Sequence, residues 1–415
     1  IVVIRYALHI YSKNGAAIMS QDPSFTPNSE SPTDASTQPS AAEMFLCPQC
    51  GAEMGWDADH KMLHCDYCGY EKEPEQTGEI VEYDLEAFFH SGAAKVHGYG
   101  TETKTVKCQQ CGATTAVEPS VTSTECPFCG SNVVLEQETT ADIIQPESLI
   151  PFQVSQEVAL RKYREWLGKG IFRPGDLSKR AGRGKLYGVY LPFWTFDAAA
   201  FSRWRAEAGY YYYETETYTT TENGERVTKT RRVRKTRWEP AWGQHSGSYD
   251  DVLVYATDSI DQNILERIYP YNTNKLVPYA PQYLSGWRAE QYKIDLRQGW
   301  GIGQGKIEEY ERDACRREVP GDTHRNLQVN TDTRDITFKH VLLPAWIASY
   351  PYKGKIYRYM VNGQTGKVQG EKPISWIRVA IAVVIALVII GIIIYLSSQG
   401  ESTAGANLIT WWGLV

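Results

Sequence analysis

The longest apolar pattern in the chain lies near its C-terminal end. Residues 379–396, VAIAVVIALVIIGIIIYL, carry no charge, and thirteen of these eighteen are Val, Ile or Leu. At roughly −0.3 to −0.6 kcal/mol each on an insertion scale, these residues favour a membrane span. Residues 374–397 are therefore read as one transmembrane helix, with Trp376 and Tyr395 at interfacial positions and Arg378 placed to snorkel. Arg358, Lys367, Lys372 and Arg378 precede the run, and no Lys or Arg follows Leu396. The positive-inside rule then holds the N-terminal region in the cytoplasm of a bacterial cell and exports residues 398–415 as a short tail.

Elsewhere the periodicity is shorter. SQEVALRKYREWLGKG (155–170) has a cap residue, helical spacing of apolar positions and a closing glycine. A second helix is expected over Trp287–Arg317, weakened at its centre by Gly299, Gly301, Gly303 and Gly305. EYDLEAFFHSGA (82–93) reads as a short amphipathic helix in a linker (73–104), and GYGTETKTV as a strand leaving that linker. KLYGVYLPFWTFDA, DDVLVYAT, HVLLPAWIASY and KIYRYMV read as strands, so residues 138–373 are expected to form an aromatic-rich mixed α+β domain. LPFW (191–194) and LPAW (343–346) hint at an internal duplication.

Composition changes this picture little. An ordinary apolar fraction with abundant Trp and Tyr predicts a folded chain, and the net charge of −6 gives no global reason to expect a nucleic-acid partner. The opening IVVIRYALHI is broken by Arg5 and lacks a signal-peptide cleavage site. Residues 1–43 read as a disordered leader, with Met19 as a candidate natural start.

The cysteines change it a great deal. Cys47, Cys50, Cys65 and Cys68 recur as Cys108, Cys111, Cys126 and Cys129, each 61 residues later, which marks a duplicated module. CxxC pairs point to metal rather than to secreted disulfides. Four thiolates suit a closed tetrahedral Zn²⁺ site, so two structural zinc ions are expected, in ribbons spanning 44–72 and 105–137. Rubredoxin-like iron is the competing reading. Each pair is followed by a glycine (Gly51, Gly69, Gly112, Gly130), which permits the positive φ of a metal knuckle.

No catalytic set accompanies the metal, and the chain is not expected to be an enzyme. GIGQGKIEE (301–309) lacks the phosphate-loop spacing and the Ser or Thr after Lys306. The ninth cysteine, Cys315, is expected to be passive. His60 and His64 are close enough in sequence to compete for metal, but the first quartet is already complete.

RVTKTRRVRKTRW (226–238) is the strongest basic run. YYYYETETYTTT precedes it across Asn223–Gly224, a hairpin signal, so residues 210–238 are read as a hairpin whose opposed positions sum to 447. That register sets Glu216 opposite Arg231, Tyr218 opposite Lys229, Tyr213 opposite Arg234, Tyr212 opposite Lys235 and Tyr210 opposite Arg237. Most of the charge is then complemented locally. Arg226, Arg231, Arg232 and Arg234 remain the candidates for contact with an anionic partner, and nucleic acid is the alternative to a self-satisfied hairpin.

CPQCG…CDYCG, CQQCG…CPFCG, GVYLPFWTFDA, YYYYETETYTTTENG, VRKTRW, DDVLV and YKGKIYRYMVNGQTGKV, closed by a membrane span, resemble a bacterial family of TFIIB-type zinc-ribbon membrane proteins. Its members are often labelled primosomal protein N′-like or helicase-like; the missing nucleotide-binding motifs speak against a helicase. The resemblance covers residues 44–397 and implies a setting beside SPFH-domain and phage-shock-protein-A-like membrane-stress proteins. The expectation is a membrane-anchored scaffold that recruits a protein partner at the cytoplasmic face. The alternative is a membrane-tethered nucleic-acid-binding protein.

Overall fold

Three strands of 30 residues or more organise the molecule, and each extends well beyond the apolar stretch that announced it. The computed structural model describes residues 46–74, 78–91, 104–117, 125–131, 134–137, 144–177, 186–222 and 224–406. The leader expected over residues 1–43 lies outside them, as does much of the linker. The described residues belong to one compact unit, Ser40–Val415.

In chain order, β1 (Gly55–Asp57), β2 (Met62–His64) and β3 (Glu71–Lys72) form the small antiparallel sheet of the first four-cysteine module. Next come β4 (Tyr83–Asp84) and α1 (Leu85–Ser91), a helix that starts later than the expected residue 82 because Tyr83–Asp84 is strand. The second module carries β5 (Lys104–Cys108), β6 (Thr114–Val117) and β7 (Val134–Gln137). They are followed by β8 (Ser148–Leu149) and α2 (Gln156–Gly168), the latter where its apolar spacing placed it. The long strands β9 (Tyr187–Glu222) and β10 (Glu225–Tyr255) come next, then α3 (Gln262–Ile268), β11 (Val277–Pro278) and β12 (Arg288–Glu290). The chain continues through α4 (Leu296–Glu318), the third long strand β13 (Thr323–Tyr352), β14 (Lys355–Asn362), β15 (Val368–Gly370) and α5 (Trp376–Ala406).

β9 is the axis. β13 lies antiparallel along one of its edges; β10, and beyond it β12, line the other. Leu191 sits directly opposite Leu343, and the LPFW and LPAW phrases run away from this pair in opposite directions along the two strands. Trp194 and Trp346 consequently share one face of the sheet.

The helix expected from Trp287 begins only at Leu296, because Arg288–Glu290 is claimed by the sheet as β12. Asp295 caps it, accepting from the Gln298 amide. The four glycines do not break it. Gly299 and Gly303 lie over the large rings of Trp194 and Phe196, whereas Ile307 further along fills the space above Ala198 and Ala200. Small on helix meets large on strand, and the reverse follows one turn later, as close packing demands. Gly301 and Gly305 look into open space.

β13 ends level with Gly209, where Gly321 packs against the Gly209 carbonyl and Asp322 accepts the next free amide, that of Tyr211. Beyond it, residues 210–222 and 225–237 project as a two-stranded arm, a contour of about 40 Å at 3.3 Å per residue. The arm has the expected register: Glu222 pairs with Glu225, Glu216 with Arg231 and Tyr210 with Arg237. Gly224 has a φ of 84°, and Asn223 lies outside the described residues.

α5 covers the expected apolar run and continues to Ala406, so the segment anticipated as a tail begins as helix. Its stretch Trp376–Leu396 is long and apolar enough to cross a membrane, and none of it is buried against the rest of the chain.

Candidate metal centres

Each CxxCG segment closes on itself in the same way. The amides of Gly51, Gly69, Gly112 and Gly130 donate to the carbonyls of Cys47, Cys65, Cys108 and Cys126 at 2.8–2.9 Å, and the four glycines share φ values of 73–74°. A side chain there would be strained, which is why glycine follows every pair. The two knuckles of a module face each other and bring four sulfurs together.

In the first module Cys47 Sγ is 3.4 Å from Cys68 Sγ and Cys50 Sγ 3.5 Å from Cys65 Sγ; in the second the corresponding pairs are both 3.6 Å apart. A disulfide would need about 2.0 Å. A tetrahedral ion with bonds of about 2.3 Å separates its sulfurs by about 3.8 Å. Both quartets therefore fit a closed four-thiolate metal site. The hydrogen bond between Cys126 and Cys111 pulls the Cys111 thiol down to about 5 and pushes that of Cys126 up. In the first module the amide of Cys68 helps bring Cys65 to about 7.

The two modules differ in their surroundings. The sequence sets residues 105–137 apart as a separate ribbon, but β6 pairs with β12, and Cys108, Cys126, Phe128 and Cys129 pack into one core with Val189, Leu191 and Phe193. The second quartet is thus part of the main sheet. The first keeps its own small core around Met54 and Leu63. It docks through Trp56, whose indole donates to the Phe152 carbonyl while Trp287 donates to the Trp56 carbonyl and Ser285 to that of Met54. Its second knuckle points outward, with Cys68 exposed and Tyr67 84% exposed. No motif marked these docking residues, since they lie 231 positions apart in the chain.

Among the described residues, two other clusters gather ligand-type atoms. Asp57, His60 and His64 lie together on the first module, with Asp57 already closing its turn by accepting from Asp59 and His60. Glu82, Asp197 and Asp251 surround the Lys339 ammonium, which reaches Glu82 at 2.6 Å and Asp251 at 2.7 Å. Burial raises Asp197 to about 6. That group is an ion-pair network centred on a cation.

The arm's arginines separate by face. Arg231 reaches Glu216 at 3.3 Å, as the register requires. Lys235, opposite Tyr212, instead spans Glu214 and Glu216 at 2.5 and 3.1 Å. Arg232 and Arg234 stack diagonally on Tyr213 and Tyr211, so Arg232, although it faces only Thr215, has a ring beneath it. Arg226 faces Thr221. Cys315 is buried beside Trp204 and Ala206, and burial raises its thiol. The GIGQGK sequence lies inside α4, where Lys306 donates to the Leu253 carbonyl at 2.7 Å.

No family model matches the chain, and no solved structure matches it. The uncharacterized protein YdjG of Bacillus subtilis (strain 168) is 28% identical over 338 residues, which span 81% of this chain and 92% of the relative. The matched length takes in most of both chains, so the likeness extends well beyond any one module.

Proposed function

We propose that the chain is a membrane-anchored scaffold whose first four-cysteine module recruits a protein partner at the cytoplasmic face. The carrying observation is the unequal fate of the duplicated modules. One quartet is consumed by the core, while the other presents an exposed knuckle with Tyr67 at its tip on a base fixed by three hydrogen bonds between residues far apart in sequence. A rigidly held, exposed aromatic on a compact loop suits protein recognition, because little conformational entropy is lost when it is covered.

Zinc is the ion this reading assigns to both quartets: all-thiolate, closed and tetrahedral sites suit a structural Zn²⁺. When bound, it supplies a crosslink that a module with so small a core lacks. The chain's own part is to hold the knuckles, aim their amides at sulfur and expose Tyr67. No step of catalysis is assigned to the chain.

α5 serves as the anchor in the bacterial cytoplasmic membrane. Its start is tied to the body: Lys372 donates to the Trp166 carbonyl and lies over that ring, Arg378 donates to the Ile171 carbonyl, and Ser375 to that of Phe172. These cations precede the apolar run, which supports a cytoplasmic body. The resemblance noted from the sequence points to an SPFH-domain or phage-shock-A-like protein as the partner. A photo-crosslinker at position 67, activated in native membranes, should capture such a protein whether or not nuclease is present. Failure to capture one from position 67, with capture from the arm instead, would refute this reading.

A further inference from the structure

The even-numbered side chains of β9 from Trp194 to Ala206 face α4, and from Ala199 onward the odd-numbered ones emerge on the opposite, uncovered face of the sheet. Two cross-strand rows stand there. Arg205 lies between Trp242 and Gln328, and Arg203 between Gln244 and Asn330. These six line an open groove of 1240 Å³. Trp242 is 76% exposed, and among the described residues the side chains of Arg205, Gln244, Gln328 and Asn330 have no hydrogen-bond or ion-pair partner. An exposed guanidinium and three exposed amides thus stand around a bare indole, all of them free to meet a ligand.

The same face runs on without interruption into the arm, since the β9–β10 register is continuous from Ala198 to Glu222. There it carries a ladder of arginines on aromatic rings: Arg325 over Trp238 at 4.2 Å, Arg234 over Tyr211 at 4.2 Å and Arg232 over Tyr213 at 4.4 Å, with Arg226 beyond. Of the carboxylates on this face, Glu207 is already occupied by Arg325 and Asn326, and Asp332 by Arg334. The opposite face of the arm holds Glu214, Glu216 and Glu225 among its cations, so one face is ion-paired and the other is basic. In a chain of net charge −6 this strip is a local reversal of sign, about 60 Å long by strand rise.

We propose that this face binds single-stranded nucleic acid, the arginines taking the phosphates and the exposed indole of Trp242 taking a base. A linear basic track interleaved with flat π surfaces matches an extended polyanion with planar bases. An anionic lipid surface fits less well: α5 leaves from the end of the sheet where β14 pairs with residues 345–352, and the strip lies toward the other end. The inference stands independently of the scaffold reading.

Fluorescence anisotropy of a short labelled oligo(dT), with the full-length protein in detergent, tests it. Binding should weaken steeply with salt, and Arg232→Ala with Arg234→Ala should lower the slope of log K against log salt by about 1.4. Trp242→Ala should weaken binding by about 5- to 150-fold, the range for one lost base stack. The exposure of Trp242 leaves the fold intact in that variant, and Arg231→Ala on the ion-paired face should change little. No binding at low salt would overturn the proposal. So would an ineffective Trp242→Ala, or displacement of the oligonucleotide by polyglutamate at equal charge, since either shows that charge alone is recognised.

Discussion

Gly299 of α4 rests on the indole of Trp194, so closely that a Cβ at this position would lie 2.6 Å from the ring's Cδ1. The relationship turns an apparent weakness of the helix into its docking surface.

Gly299→Ala should therefore destabilise the body by about 1–3 kcal/mol through overpacking, in excess of the gain in helix propensity. Gly301→Ala, two residues on and facing open space, should stabilise by about 1 kcal/mol. Urea unfolding of the detergent-solubilised protein separates the two; equal effects would show that α4 does not pack on Trp194.

The two quartets should respond differently to loss of a ligand. Cys65→Ser should empty the first module and unfold it locally, leaving the other ion bound. Cys126→Ser should destabilise the whole body, because its module shares a core with Val189 and Phe193. Metal analysis should show two ions per wild-type chain and one in Cys65→Ser, with thermal melting of the body lowered far more in Cys126→Ser, since the first module meets the body's core mainly through Trp56. Comparable melting shifts would contradict the shared core.

The arm should behave as a unit of its own. Lys235 is pinned between Glu214 and Glu216, and Lys235→Gln leaves those carboxylates facing each other on one strand face. Amide exchange should then quicken across residues 212–235 without a change in the body's melting. A parallel fall in the body's stability would show that the arm is not independent.

Glu290 supplies a pH signature. It is fully buried and accepts from the Thr257 hydroxyl at 2.7 Å, and burial raises its carboxyl to about 7. The folded state thus holds this proton more tightly than the unfolded chain does, so stability is greatest below the ordinary carboxyl range near 4.5 and declines as pH rises through about 7. Glu290→Gln keeps the neutral form and should remove that decline, a gain on the order of 3 kcal/mol at pH 8. Unfolding at pH 5 and pH 8 checks it; an unchanged slope would assign the pH dependence elsewhere.

Local chemistry made part of this molecule readable in advance. The cysteine quartets with their trailing glycines, the apolar run of α5 and the register of the arm all depend on residues close in sequence or on a fixed repeat. The hairpin register in particular follows from one turn and the two-residue period of a strand. The two strand phrases around Leu191 and Leu343 were also visible, though not that they face each other. Tertiary structure alone decided that the second quartet belongs to the main core, that Arg288–Glu290 is strand rather than helix, and that Gly299 and Gly303 are contacts rather than breaks. It also decided the role of Arg203 and Arg205. In the sequence they alternate with Trp204 and Ala206 as any half-exposed strand would. Which of the two faces is covered depends on where α4 docks, more than 90 residues later, and a two-residue period cannot say which side of a sheet a distant helix will choose.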